Sequence, residues 1–398
     1  MSLQLFDSLS REIKPLYPED GKQFRFYLCG PTVYGPAHIG NFRTIALHDV
    51  LYRTLKTAGL NPYYVRNITD VDDKTIKQSQ KEGLSLSTFT NKWANVFADD
   101  CVTLNMLSPD VEPRAASHID QQIDLIQKLV EKDAAYQAND GSVYFRVSAW
   151  KDYGKLARLK MEDLQTQKTT SSGAVNTADE YDRENISDFA LWKARKPEDG
   201  DNFWASPWGE GRPGWHIECS AMSMEYLGES FDLHGGGVDL CFPHHENEIA
   251  QSEAATGKPF ARHWFHCAFL NVDNEKMSKS LKNFHTLEEL LAKMPDPMAI
   301  RYSLISGHYR QPLNFTFNGL KAAQSALAKL EKVVTSALQI ASIETENFET
   351  LFQESPSSEW GIFEKAWQKL CDDLNTPSCL GELFKTLNER TNEEISKN

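Results

Sequence analysis

The sequence predicts an α/β chain: a parallel sheet in two halves, split by an insertion and followed by an all-helical region. Three observations carry this. Apolar runs over 22–28 and 62–68 alternate with helix-period segments. A glycine-terminated run, FDLHGGG, returns at Phe231–Gly237 after a long polar interval. Beyond Pro312, apolar residues recur at helical spacing.

In order along the chain, KQFRFYL over 22–28 alternates as a strand and stops at Cys29-Gly30-Pro31. From Asn41 to Ala58, Ile45, Val50, Leu51 and Leu55 suit one helical face, and Gly59 is placed to end it. PYYVRNI over 62–68 is the next strand. Phe89, Trp93, Phe97 and Cys101 recur every fourth residue, marking a buried helix face. Another helix is expected over 119–130, then a hairpin turn at Asn139-Asp140-Gly141-Ser142. Residues 165–182 are rich in Thr, Ser and Gln and are expected to form an exposed loop. After Pro312, Leu320, Leu327, Leu330 and Val334 mark one helix, with further helices over 359–374 and 379–396. There are no internal repeats.

With 398 residues, 40% hydrophobic and 25% charged, the chain suits two or three globular domains. The first residues lack the apolar run of a signal peptide, and no stretch is long enough to span a bilayer. Seven widely spaced cysteines do not form a disulfide framework, so a cytoplasmic location is expected, with no membrane partner. Lysine plus arginine number 42 against 56 acidic residues, a net charge of −14, which argues against a generally nucleic-acid-binding surface. A specific local stripe would still serve, with steep salt dependence.

Two strings carry the strongest chemistry. PTVYGPAHIGN places His38, Ile39, Gly40 and Asn41 where a strand hands over to a helix. EKMSKSLKN puts Lys276 and Lys279 around Met277 and Ser278 on an expected mobile loop. Taken alone, HIGN is a helix start with a satisfied histidine, and an isolated KxxK is a solvated loop. Together, in this order and separation, they resemble the two ATP-handling elements of the class I aminoacyl-tRNA synthetases. His38 and Asn41 would supply donors where the helix dipole favours phosphate, and Gly40 would let the nucleotide approach. Asn41 stands where that family usually has histidine, so no cationic role is expected there. Lys276 and Lys279 would pair with the leaving phosphates and Met277 would anchor the loop. Lys282 replaces a common glycine.

A third constellation is metal-like. His244 and Glu248, four residues apart, share a face if helical. Spacing cannot certify Cys29 or Cys219, and His245 with Glu246 or Cys241 compete as ligands. CGPTVYGPAHIGN, RNITDVDDKT, GRPGWHIECSAMS, LHGGGVDLCFPHHENEIAQSEA and KMSKS, in order, resemble the cysteinyl-tRNA synthetase family, and Leu374-Asn-Thr-Pro377 resembles its next domain. The resemblance implies one Zn2+ on Cys29, Cys219, His244 and Glu248, and cysteine contacts from Cys29, Gly30, Thr69 and Trp215. It further implies ATP, with Mg2+, against Gly236 as well as His38, Gly40, Asn41 and Lys279.

It implies a Rossmann-like catalytic domain in halves 1–120 and 201–270, a connective insertion 121–200, a KMSKS-bearing connector 271–312 and a tRNA-binding helical domain 313–398. The expected partners are L-cysteine, ATP and tRNA(Cys), and the expected state a monomer. Zinc would supply what pocket shape cannot, since an apolar pocket separates near-isosteres by only roughly 100-fold and zinc prefers a thiolate to a hydroxyl. Two thiolates and a carboxylate would leave the site at net −1, and a substrate thiolate would take it to −2.

The competing readings are a cysteine ligase of mycothiol synthesis, which activates cysteine identically, and a synthetase-like protein without catalysis. The family generally continues into an anticodon-reading domain, which this sequence stops short of. A truncated chain that activates cysteine but charges tRNA weakly is therefore expected.

Overall fold

The computed structural model describes residues 2–159, 188–277, 283–342 and 360–396. The expected loop at 165–182 lies outside them, as does Lys279.

A four-stranded parallel sheet sits at the centre. Its strands are β3 (Phe24–Leu28), β4 (Pro62–Arg66), β9 (Phe231–Gly237) and β10 (Ala261–Cys267), in the order β10-β9-β3-β4. Leu28 pairs with Arg66 on one side and Gly235 on the other. β3 therefore has its sequence successor on one flank and the resumed half of the sheet on the other. In open α/β sheets ligands bind at such a switch point, beyond the carboxyl ends of the strands. Helix α1 (Ile39–Thr57) leaves that edge and buries Ile39, Phe42, Leu47, Leu51 and Leu55 in the main core. Helices α2 (Asp73–Lys81) and α3 (Leu86–Thr103) follow β4, and Phe89, Phe97 and Cys101 are buried as their spacing requires.

Between the halves, α4 (Ile119–Glu131) leads into an antiparallel sheet of β5 (Ala135–Gln137), β6 (Val143–Phe145), β7 (Phe189–Ala194) and β8 (Gly211–Pro213). The 139–142 turn joins β5 to β6. Residues 211–213 thus pair with the insertion, beyond its expected end at 200. Gly214 then hands the chain to α5 (Trp215–Leu227), and a Cβ on Gly214 would come within 2.0 Å of the Ala190 carbonyl oxygen. That crowding ties α5 to β7.

After β9, the chain forms an irregular turn over 241–245 and then α6 (Glu246–Thr256). A small sheet follows β10, with β11 (Leu270–Val272), β12 (Glu275–Lys276) and β13 (Leu313–Phe315) in the order β12-β11-β13. Helices α7 (Leu287–Lys293) and α8 (Pro297–Ile305) lie between β12 and β13. Residues 313–315 were expected to open the helical region. They are instead a strand, because their backbone completes the ladder of β11. Helix α9 (Phe317–Ala341) is present, but Val334 on its expected apolar face is 45% exposed. The helix expected over 359–374 is α10 (Glu364–Cys371) preceded by a tight turn. The one expected over 379–396 is two, α11 (Thr376–Glu389) and α12 (Asn392–Ile395), because Thr391 caps a new helix through the Glu394 N–H.

An N-terminal hairpin, β1 (Gln4–Asp7) with β2 (Glu12–Pro15), escaped the sequence reading because its strands are short and one is almost wholly exposed. It docks on β10 through Ser8 N–H to Trp264 O at 2.9 Å and Trp264 N–H to Asp7 Oδ1 at 3.0 Å. Burial opposes ionisation of Asp7. Lys14 at 2.8 Å, the Ser10 hydroxyl and the Trp264 N–H outweigh it and hold the carboxyl at about 2, below its usual 3.8.

A carboxyl depressed on folding stabilises the protein above its unfolded value, and that contribution is lost as pH falls from about 4 through about 2. Asp7→Asn is therefore expected to cost about 1–2 kcal/mol near neutral pH, discounted for the partly exposed Lys14. The gap to wild type should narrow as pH is lowered below 4, measured as urea midpoints between pH 7 and 3.

Candidate active site

The site is assembled at the carboxyl edge of the sheet. His38 caps α1 in extended conformation. Its Nδ1 accepts the Gly40 and Asn41 N–H groups at 3.0 and 3.3 Å, and Asn41 Oδ1 accepts the His38 N–H at 3.1 Å. The Ile39 N–H donates to His285 O at 3.0 Å. The first backbone donors of α1 are thus taken up by the protein itself. What faces outward is side-chain chemistry: with Nδ1 an acceptor, the imidazole proton sits on Nε2, and Asn41 retains its Nδ2 donors.

Met277 packs on the main core, and its Cε lies 2.6 Å from where a Gly40 Cβ would be. Gly40 thus makes room for Met277 as well as for any ligand. Lys276 on β12 stands over the Phe269 ring at 5.7 Å, and Asn283 Nδ2 donates to Lys276 O at 3.2 Å. The start of α1 and the strand carrying Lys276 are therefore brought together. The His38–Thr286 bridge closes the pair.

Gly30 follows Cys29 at the end of β3. A Cβ there would fall 1.7 Å from Asn67 O, and the Gly30 N–H donates to Asn67 Oδ1 at 2.9 Å. Thr69 is buried close by, accepts from Asn67 Nδ2 at 3.2 Å and donates to Glu218. Burial raises the Glu218 carboxyl well above the usual carboxylate range. Gly235 and Gly236 lie within strand β9. A Cβ on Gly235 would meet His48 Nε2 at 2.1 Å, and one on Gly236 would meet His245 Cε1 at 2.8 Å. These glycines accommodate histidines, a requirement the sequence reading missed.

Cys29, Cys219 on α5, His244 before α6 and Glu248 on α6 converge, all buried. Cys29 Sγ is 3.8 Å from Cys219 Sγ and 3.6 Å from Glu248 Oε1, which is 3.1 Å from His244 Nε2. From ordinary zinc bond lengths, the edges of a tetrahedral site are about 3.8 Å for S–S, 3.5 Å for S–O and 3.3 Å for N–O. These three of the quartet's six edges match within a few tenths of an ångström, and all four ligand atoms lie within 4.8 Å of one another. A second grouping, Cys29, His234, His245 and Glu248, also clusters. There His234 Nε2 and Glu248 Oε2 are 2.8 Å apart, a hydrogen-bond distance, while His245 Nε2 is 4.0 Å from Glu248 Oε1. Of the other sequence competitors, Glu246 is spent on the Gly154, Leu156 and Ala157 N–H groups, and Cys241 lies outside both clusters.

Outer partners orient this quartet. His244 Nδ1 is 2.9 Å from His216 Nδ1, so a proton on His244 Nδ1 leaves its Nε2 lone pair facing the cluster. Burial pulls both imidazoles down to about 3, keeping them neutral as ligands must be. Burial also pushes the Cys219 thiol up to about 12 and Cys29 well above its usual value, so binding a cation there would displace protons. Trp215, 40% exposed, lies against His244 with ring centroids 4.4 Å apart, at the mouth of the cluster.

Comparison with known proteins places this geometry. The family described as "tRNA synthetases class I (C) catalytic domain" matches residues 15–325. The cysteine–tRNA ligase of Opitutus terrae is 51% identical over 99% of this chain and 83% of its own length. That of Brachyspira hyodysenteriae is 48% identical over 96% of this chain and 80% of its own. Among solved structures, Mycobacterium tuberculosis methionyl-tRNA synthetase in complex with methionyl-adenylate superposes with a TM-score of 0.67 at 15% identity. It covers 92% of this chain and 82% of that one, a likeness of fold alone. No helix among the described residues is long and apolar enough to cross a membrane. With a matched family profile over most of its length and relatives at about half identity across nearly all of it, the chain belongs to the cysteine–tRNA ligases of the class I aminoacyl-tRNA synthetases.

Proposed function

We propose that this cysteine–tRNA ligase activates L-cysteine on ATP, releasing pyrophosphate, and passes the cysteinyl group to the 3′ end of tRNA(Cys), recognising the substrate thiol at a zinc held by Cys29, Cys219, His244 and Glu248. The single observation that carries this is the convergence of four buried ligand-type side chains, three of their separations close to tetrahedral edge lengths, at the switch point of the sheet beside the His38 helix. Zinc, when bound, supplies a preference for soft thiolate over hydroxyl, the distinction between cysteine and serine.

The protein's own groups do the rest. Gly30 and Thr69 line the approach to Cys29, and Trp215 covers His244, so the cysteine backbone would lie between them. Its carboxylate attacks the α-phosphate of ATP and pyrophosphate leaves, with the nucleotide, accompanied by Mg2+, running past Gly40 and Gly236. Such a transfer needs positioning and charge stabilisation more than covalent work. His38, as a neutral donor at Nε2, and Asn41, through Nδ2, face the phosphate oxygens. Lys276 and Lys279 meet the leaving phosphates. Helix α9, with its lysines at 321, 329 and 332, is the surface offered to tRNA.

Cys219→Ser is expected to leave the chain folded with strongly reduced zinc, read by metal analysis of the purified protein beside its circular dichroism. Full zinc occupancy in that variant would sink the ligand assignment. His38→Ala and Lys279→Ala should each slow adenylate formation on the order of 100- to 1000-fold while cysteine affinity stays near wild type, because their bonds strengthen only as phosphate charge develops. Rapid-quench measurement of the first turnover tests this, and an unchanged burst rate would remove the residue from the mechanism.

A further inference from the structure

Residues 307–311, between α8 and β13, are held from two sides by parts of the chain with no other reason to share a partner. On one side is Arg43, five residues into the His38 helix and only 1% exposed. Its Nη2 donates to His308 O at 3.2 Å and to Gln311 O at 2.9 Å. No carboxylate among the described residues lies within ion-pair distance of it. Burial pulls the guanidinium down to about 10. A buried cation that places one nitrogen on two carbonyl oxygens, with no hydrogen-bond partner for Nε or Nη1, is costly for stability alone.

On the other side is Asp373, between α10 and α11. It accepts from the Tyr309 hydroxyl, pairs with Arg310, and lies 3.6 Å from His308 Nε2. The same carboxylate accepts the Phe6 N–H at 2.9 Å. Asp373 and Leu374 both adopt left-handed backbone, φ +59° and +47°, which non-glycine residues keep only where the surroundings impose it.

What these contacts grip leads directly to the phosphate-facing lysine. The segment runs into β13, β13 pairs with β11, and β11 pairs with β12, where Asn271 is opposite Lys276. The Tyr309 carbonyl also receives the Ala268 N–H at 2.7 Å, fixing the segment to the end of β10. We propose that residues 307–311 form a joint through which the seating of the helical region sets the position of Lys276 relative to His38, with Arg43 and Asp373 as positioning residues for the adenylation step. This rests on the reading of His38 and Lys276 as the phosphate-facing pair. A displacement of about 1 Å at such a pair is enough to cost on the order of 100-fold in rate.

The test uses the full chain in single-turnover adenylate formation with ATP and cysteine, where burst amplitude counts intact sites and burst rate reports the chemical step. Arg43→Met is expected to slow the burst roughly 10- to 100-fold, with cysteine affinity and zinc content near wild type. Arg43→Lys should recover much of that loss, since one nitrogen makes both bonds. Asp373→Asn should slow the burst as well. Combined with Arg43→Met it should lose little beyond the worse single variant, because both act on one element. Tyr309→Phe, a milder change, carries the test if Asp373→Asn does not fold.

Wild-type burst rates with reduced amplitude, or fully additive losses, would overturn the joint. Lys276→Ala in the same assay separates the two ideas. If it slows the burst while the Arg43, Tyr309 and Asp373 variants do not, only the joint fails. If it too leaves the rate unchanged, the phosphate reading beneath the joint fails.

Discussion

The site depends on one fully buried carboxylate, Glu248. It touches Cys29 across the end of β3, His244 one turn before it, and His234 on β9 at 2.8 Å. A charge without solvent is tolerated only when its oxygens are satisfied. That requirement draws the end of β3, the start of α6 and strand β9 to a single point. Cys219 joins from α5, which in turn is tied to β7 of the insertion by the closeness of Gly214 and Ala190. The two halves of the sheet and the sheet inserted between them therefore meet at one cluster of about four side chains.

Much of this could be read from residues alone, for reasons that differ from element to element. Three of the four parallel strands and α1 were legible from apolar runs bounded by glycine or proline, whereas β10, with Arg262, His263 and His266 in its seven residues, was not. His244 and Glu248 were legible as an i, i+4 pair. Cys29 and Cys219 were not, since nothing local in either segment signals that a strand end and a helix face will touch. Only the resemblance of whole motifs to one enzyme family linked them.

What escaped the sequence altogether was determined by tertiary pairing. Strand β13 exists because β11 offers it a ladder, and the hairpin of β1 and β2 because its Asp7 and Ser8 exchange bonds with Trp264 on β10. Gly236, next to Gly235 on β9, was read for what it would admit from outside. Their neighbours His48 and His245 give an internal reason as strong. His245, a rival ligand by spacing, is instead 2.8 Å from His266, which is 2.8 Å from Ser8, so a line of imidazoles runs from the cluster to the N-terminal hairpin.

That hairpin has a consequence for synthesis of the chain. Phe6 bonds to Asp373, a separation of 367 residues. At ribosomal rates of about 5–20 residues per second, β1 waits roughly 20 to 70 seconds for that partner. During that interval the backbone of Phe6 and the neighbouring Gln4 must be satisfied by water or by whatever assists the nascent chain. The nascent protein thus carries an incomplete edge at β1 until residue 373 has been made, which couples closure of that edge to synthesis of the helical region.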